Sequence, residues 1–277
     1  MSLNSVNTNV GAMIALQSLQ RTGDELEVTQ NRINTGRKVN STKDNGAIWA
    51  IAQNQRADIG ALNSVKDSLQ RGQSAADVAI AAGETVSDLL LQLKEKALAA
   101  TDTTLTTASR RALNEDFKSL RDQIATVVTN ASFNGVNLIN NSTGTAGFKA
   151  LSNVSGSTIK VAPENLSLGG ANVTVTAAMT IGTSTLANTA LTAVNNSINN
   201  VSASLARMGT GSKALGTHLN FVSKLQDTLE AGVGNLVDAD LAKESARLQA
   251  LQTKQQLGVQ ALSIANSSTS ILLGLFR

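Results

Sequence analysis

Apolar residues recur at alternating steps of three and four along most of this chain, and that spacing constrains the fold more than any other feature. Leu113, Phe117, Leu120, Ile124 and Val127 follow it, as do Val194, Ile198, Val201, Leu205 and Met208. Such a period places every one of these side chains on one stripe of a helix, the pattern of a helix–helix seam. Other stretches carry similar stripes: Leu3, Val6, Val10 and Met13, then Leu19, Leu26 and Ile33, then Ile48, Ile51, Ile59, Leu62, Val65 and Leu69, then Val86, Leu89, Leu90 and Leu93. Pro163 is the single proline in 277 residues, so long helices meet no covalent obstacle. A helix over residues 46–100 would be roughly 80 Å long at 1.5 Å per residue.

The filler is aliphatic. Aromatics make up 2% of the chain and hydrophobic residues 42%, so Ala, Leu, Val and Ile must form the interior, which suits thin helical seams better than a thick globular core. Cysteine is absent, which excludes disulfides and thiolate metal sites. The net charge of +3 is dispersed, with no block that would suit a nucleic acid or a membrane surface. The apolar clusters at residues 89–91 and 271–276 are too short to cross a bilayer, and the polar N-terminus has no signal-peptide pattern.

Residues 132–188 differ. They are rich in Ser, Thr, Asn and Gly, and Lys149, Lys160 and Glu164 are their only charges. Thr158 to Val161 and Val173 to Thr176 alternate as short strands do. The expected fold is mainly α: a folded-back rod of long helices, with paired N- and C-terminal helices and a small, solvent-facing central β-hairpin region. The expected divisions are 1–45, 46–131, 132–188, 189–236 and 237–277, with a helix interruption at Gly209, Thr210 and Gly211. A two-helix end has little interior, so residues 3–31 and 241–276 carry stripes that one chain cannot bury. Copies of the chain can bury them, and heterologous contacts that do not close produce a helical filament.

Chemical motifs are sparse. His218 is the only histidine, which excludes a two-histidine zinc site, and it reads as a helix-surface or packing residue. Asp238 and Asp240 read as helix-start carboxylates. Residues 209–213 lack the spacing of a phosphate loop. No catalytic, cofactor or metal residue is expected.

Four ordered stretches carry a family resemblance. Arg32-Ile33-Asn34-Thr35-Gly36-Arg37-Lys38-Val39-Asn40-Ser41-Thr42-Lys43-Asp44 resembles the N-terminal signature of bacterial flagellins. Phe133-Asn134-Gly135-Val136-Asn137-Leu138 is similar to the motif that follows their outer helices. Leu236 through Glu244 resembles the start of their C-terminal helix, and Leu272 through Arg277 their Leu-rich end. The resemblance covers roughly residues 1–138 and 190–277, in the short form common among alphaproteobacterial flagellins.

It implies a secreted structural subunit of the extracellular flagellar filament, not an enzyme. The alternative it leaves is a hook–filament junction protein. It also implies an inner domain lining a narrow channel, built from residues 1–45 and 237–277, with the longer helices around it. The implied partners are further copies of the chain, an export chaperone, the flagellar export apparatus, and the junction and cap proteins. Subunit contacts are expected at Arg32, Asn34, Gly36, Arg37, Lys38, Lys43, Asp44, Asp238, Asp240, Glu244, Leu248 and Leu251. Any O-linked sugars are expected on Ser155, Ser157, Thr183 or Ser184.

Many flagellins are bound by an animal innate receptor through a helical segment of the form L-Q-R-V-R-E-L-A. Here the equivalent run is Leu90 to Ala97, with Glu95 retained, Gln92 in place of an Arg and Lys96 in place of a Leu. Losing a guanidinium removes bidentate contacts, and a charge at an apolar anchor must be desolvated. The expected outcome is weak agonism in a reporter-cell dose response, improved by Gln92→Arg with Lys96→Leu; full potency of the unaltered protein would contradict it.

Overall fold

The structure is a computed structural model that describes residues 8–140 and 147–274. Leu3 and Val6 of the first stripe, and the terminal Leu275, Phe276 and Arg277, lie outside the described residues. In order, the elements are α1 (Val10–Thr35), α2 (Thr42–Ala100), α3 (Thr107–Asn130), β1 (Phe148–Leu151), β2 (Thr158–Val161), α4 (Ser184–Val237) and α5 (Leu241–Gly274). The mainly helical class, the paired terminal helices and the small antiparallel hairpin match the sequence expectation.

The chain divides into two units, residues 1–57 with 228–277 and residues 58–227. The division falls inside α2 and α4. The second unit holds most of the buried apolar residues. In α2 the buried Leu62, Leu69, Ala76, Leu90 and Ala97 fall on one seven-residue repeat, and Val65, Ala79, Val86, Leu93 and Ala100 on another. Ala187, Val194, Val201, Met208, Leu215 and Val222 of α4 are seven apart and buried. These are the seam positions of a coiled coil. The two helices run antiparallel within this unit. Lys66 donates to Gln226 near one end, Ser212 donates to Asp77 further along, and Gly83 faces Leu205 beyond it.

Glycines occupy some seam positions because larger groups fill the space. A Cβ on Gly72 would lie 2.8 Å from the Phe148 ring, and one on Gly83 would lie 2.7 Å from Leu205. The third helix, α3, adds Phe117, Ile124 and Val128 to the core. Its buried Arg121 and Asn114 bond the Met179 carbonyl and the Ile181 amide, which ties the following loop to it.

Three expectations are corrected here. Gly209, Thr210 and Gly211 do not interrupt a helix: α4 runs through them. The buried Met208 and Leu215 anchor the turns on either side.

The middle zone is not a solvent-facing hairpin. Its Leu138, Ile139, Leu166, Val173, Val175 and Ile181 are fully or almost fully buried. Only Thr158 to Val161 forms one of the proposed strands, as β2; Val173 makes an isolated bridge to Leu168, and Thr174 bonds Ala193 and Ser197 of α4 instead. Finally, α4 begins at Ser184, not near 189, so Ser184 belongs to the helix and Thr183 caps it through the Leu186 amide.

Phe117 is fully buried. Phe117→Ala should cost about 3–5 kcal/mol, as large-to-small core changes do, measured by denaturant unfolding. A cost under about 1 kcal/mol would mean that this helix is not part of the core.

Candidate assembly interface

The first unit is built on two antiparallel helices. Asn9 caps α1 by accepting from the Ala12 amide, and its Nδ2 donates to the Ala265 carbonyl at 2.8 Å. Leu19 lies against Gly258, Glu25 pairs with Arg247 at 3.3 Å, and Arg32 pairs with Glu244 at 3.1 Å. The partner number falls as the first rises, so the contact runs along nearly all of α1. Gly258 leaves room for close approach: a Cβ there would stand 3.2 Å from Leu19.

At one end of this pair, backbone bonds set the geometry. Gly36 ends α1 with φ +68°, a left-handed conformation that a side chain resists. The Gly36 carbonyl accepts from the Ala239 amide, and the Val237 carbonyl accepts from the Lys38 and Val39 amides. Arg37 and Asp238 therefore form an antiparallel bridge. Lys38 Nζ donates to the Asn235 carbonyl at 2.9 Å. Asp240 Oδ1 accepts from the Ala242 and Lys243 amides and opens α5.

On the other strand of the connector, Asp44 Oδ2 accepts from the Ser41 and Asn40 amides at 2.9 and 3.0 Å. The Ser41 hydroxyl donates to the same oxygen at 3.2 Å, so the Asp44 carboxylate gathers the donors at the start of α2. Asn45 then leaves helical geometry (φ −164°, ψ 102°) and caps the remainder of α2 through the Ile48 amide.

The expected contact residues consequently separate into two groups. Arg32, Gly36, Lys38, Asp44, Asp240 and Glu244 make contacts within the chain, and Asp238 is held there by its backbone. Leu251 is buried in the single chain and Leu248 half-buried. Asn34, Arg37 and Lys43 are exposed.

The most informative residues lie in the two terminal stripes that one chain was not expected to bury. Val10, Met13, Ile14, Leu16 and Val28 of α1, and Leu241, Leu257, Val259 and Ile264 of α5, are exposed large hydrophobics. Met13, Ile14 and Ile264 are each more than 60% exposed. The apolar residues that this unit does bury are few among the described residues: Val39, Ala52, Val233, Val237 and Leu251. Two thin helices have an inner line of contact and two outer faces, and here the outer faces carry large apolar residues among polar ones, concentrated within residues 10–16 and 257–264. A shallow groove of about 510 Å³ between the helices is lined by Arg21, Glu25, Lys254, Leu257 and their neighbours.

Among the described residues nothing else suggests a chemical site. Among the described residues no cluster of His, Cys, Asp or Glu could hold a metal ion. His218 Nε2 donates to the Ser152 carbonyl at 2.7 Å and its ring stands 5.7 Å from Phe221, so it fastens the hairpin to α4. No described helix is long and apolar enough to cross a membrane.

Comparison with known proteins adds the decisive observation. The model of the bacterial flagellin N-terminal helical region matches residues 6–144, and that of the C-terminal helical region matches residues 191–276. The chain belongs to the bacterial flagellin family. It is 58% identical to flagellin FljM of Caulobacter vibrioides over 277 residues, all of both chains. It is 38% identical to a flagellin of Brucella melitensis over 282 aligned positions, covering 99% of each. A solved structure assigned as a flagellar hook-associated protein of Vibrio parahaemolyticus shares the fold, with a TM-score of 0.56 and 14% identity over 70% of this chain and all of that one. As a flagellin, the chain is a structural subunit of the extracellular flagellar filament. The α1–α5 pair of this flagellin comes from the two segments farthest apart in sequence, and both lie in the matched regions.

The Ser41 and Asn40 amides hold the Asp44 carboxyl below its ordinary value. A depressed folded-state value means that this contribution is complete above about pH 4 and is lost as the pH falls through the folded value. Asp44→Asn should therefore weaken the flagellin at neutral pH, and the gap to wild type should close on acidification. Denaturant unfolding at pH 7, 5 and 3 measures it; a gap independent of pH would exclude the capping role.

Proposed function

We propose that the uncovered apolar faces of α1 and α5 are the surfaces through which this flagellin polymerises, each covered by the same helices of neighbouring copies. The observation that carries the reading is the exposure of Met13, Ile14, Leu257 and Ile264 on a helix pair with almost no interior. Covering each such side chain contributes about 1.5–3 kcal/mol, so a handful offsets an association cost of about 4–15 kcal/mol. Arg37, Asn34 and Lys43, exposed on or beside the connector, supply polar contacts that fix register between copies. Arg32, Lys38, Asp44, Asp238, Asp240 and Glu244 act indirectly by holding that connector in shape.

Family membership supports a reading of the other partners. The flagellin leaves the cell unfolded through the flagellar export apparatus, escorted by an export chaperone, and is added between the hook–filament junction and the cap. A marginal two-helix unit without disulfides suits such passage. Ser155 and Ser157, exposed at the hairpin turn, suit O-glycosylation. Ser184, bonded to the Thr101 carbonyl, and Thr183, a helix cap, suit it less. Weak recognition by the innate receptor is supported by Lys96, which is tied to Asp116 at 2.8 Å and so keeps a charge where an apolar anchor is wanted.

Deleting residues 1–31 or 241–277, or introducing Ile14→Asp with Ile264→Asp, should abolish filaments while circular dichroism still reports a folded helical second unit. Long filaments from any of these proteins, seen by electron microscopy, would refute the reading.

A further inference from the structure

The apolar face of α1 contains one chemically reactive group. Met13 is 63% exposed, and Val10 and Ile14 beside it on the helix are exposed as well. Its thioether is the softest nucleophile that the described residues present to solvent. The chain has no cysteine to react in its place. The other described methionines are held back. Met208 is 1% exposed in the α4 seam, and Met179 is half-buried in the loop tied to α3. Trp49, the single tryptophan, is half-buried too.

A thioether reacts with a peroxide without help from other side chains. Sulfur attacks one oxygen of hydrogen peroxide, and the O–O bond breaks as the S–O bond forms. The proton of the attacked oxygen passes to the departing hydroxide. Sulfur gives up two electrons, and the rest of the peroxide leaves as water. The product, methionine sulfoxide, is polar and chiral where the thioether was flexible and apolar. Its oxygen holds water, which must be shed when another copy covers the face; the unmodified sulfur carries little such cost.

We infer that Met13 is an oxidation switch on assembly: a peroxide converts it to the sulfoxide in the free subunit and so bars that subunit from the polymer, whereas a subunit already covered by its neighbours is protected. The inference rests on the reading that neighbouring copies cover α1 and α5. The switch is reversible. A methionine sulfoxide reductase supplied with a dithiol removes the oxygen as water, oxidises the dithiol to a disulfide and returns the thioether.

The test treats monomer and filament with hydrogen peroxide and follows oxygen uptake at each methionine by peptide mass spectrometry. In the monomer Met13 should oxidise at least about tenfold faster than Met208, and in the filament about tenfold more slowly than in the monomer. Treated monomer should need about tenfold more protein to polymerise, and reductase with a dithiol should restore the normal threshold. Met13→Leu, which nearly conserves volume, should polymerise normally before and after treatment. That variant keeps Met1, Met179, Met208 and Trp49, so it controls for oxidation elsewhere. Equal oxidation of Met13 in monomer and filament, normal polymerisation of the sulfoxide, or loss of assembly by treated Met13→Leu would each overturn the proposal. In those cases the absence of filaments from Ile14→Asp with Ile264→Asp leaves the α1–α5 reading standing. Normal filaments from that aspartate variant would overturn both.

Discussion

A pair of thin helices cannot bury apolar residues on its outer faces. This constraint organises the first unit. Helices α1 and α5 meet along one line, with Gly258 at a close contact, while Met13, Ile14 and Ile264 stay exposed and Leu257 lines the groove beside that line. A monomer would be more soluble with polar residues at those positions. Their presence makes sense for a chain whose working state is a polymer and fits the proposal that neighbouring subunits complete a core that no single copy has. The backbone bonds among Gly36, Lys38, Val39, Val237 and Ala239 hold the two helices in register, and the Asp44 and Asp240 caps start the helices beside them.

The second unit solves the same problem internally. Two long seams on α2 and α4 pack antiparallel, α3 adds Phe117 and Ile124, and the loops after α3 and β2 add Leu138, Ile139 and Leu166. Glu164 shows how firmly the loop is fixed: its carboxylate takes two bonds from Arg207, at 2.6 and 2.7 Å, which hold its pKa below the ordinary value. One unit thus buries its apolar residues within the chain, and the other leaves several of its own exposed.

Much of this was legible in the sequence because helix periodicity is local. The α3 seam from Leu113 to Val127, the turn at Gly36 and the helix start at Asp240 could all be read from spacing and residue type. The Ser- and Thr-rich middle was misread because its composition looks like an exposed loop, whereas Val173, Val175 and Ile181 earn burial only through packing on distant helices. Gly209 and Gly211 looked like a helix break, yet the seven-residue step from Met208 to Leu215 and Val222 already indicated that α4 continues. Pairings such as Arg32 with Glu244 join residues 212 positions apart and have no local signal. The exposed face was half-visible: the stripes of residues 3–31 and 241–276 could be seen, but which members point outward depends on where the two helices touch.

The claim that α1 and α5 are completed by neighbouring copies is tested most directly by amide hydrogen exchange on monomer and filament. Amides of residues 8–35 and 241–274 should exchange quickly in the monomer and become strongly protected in the filament, while those in the buried seams of α2 and α4 within residues 58–227 change little. Equal exchange of the terminal helices in the two states would contradict the account.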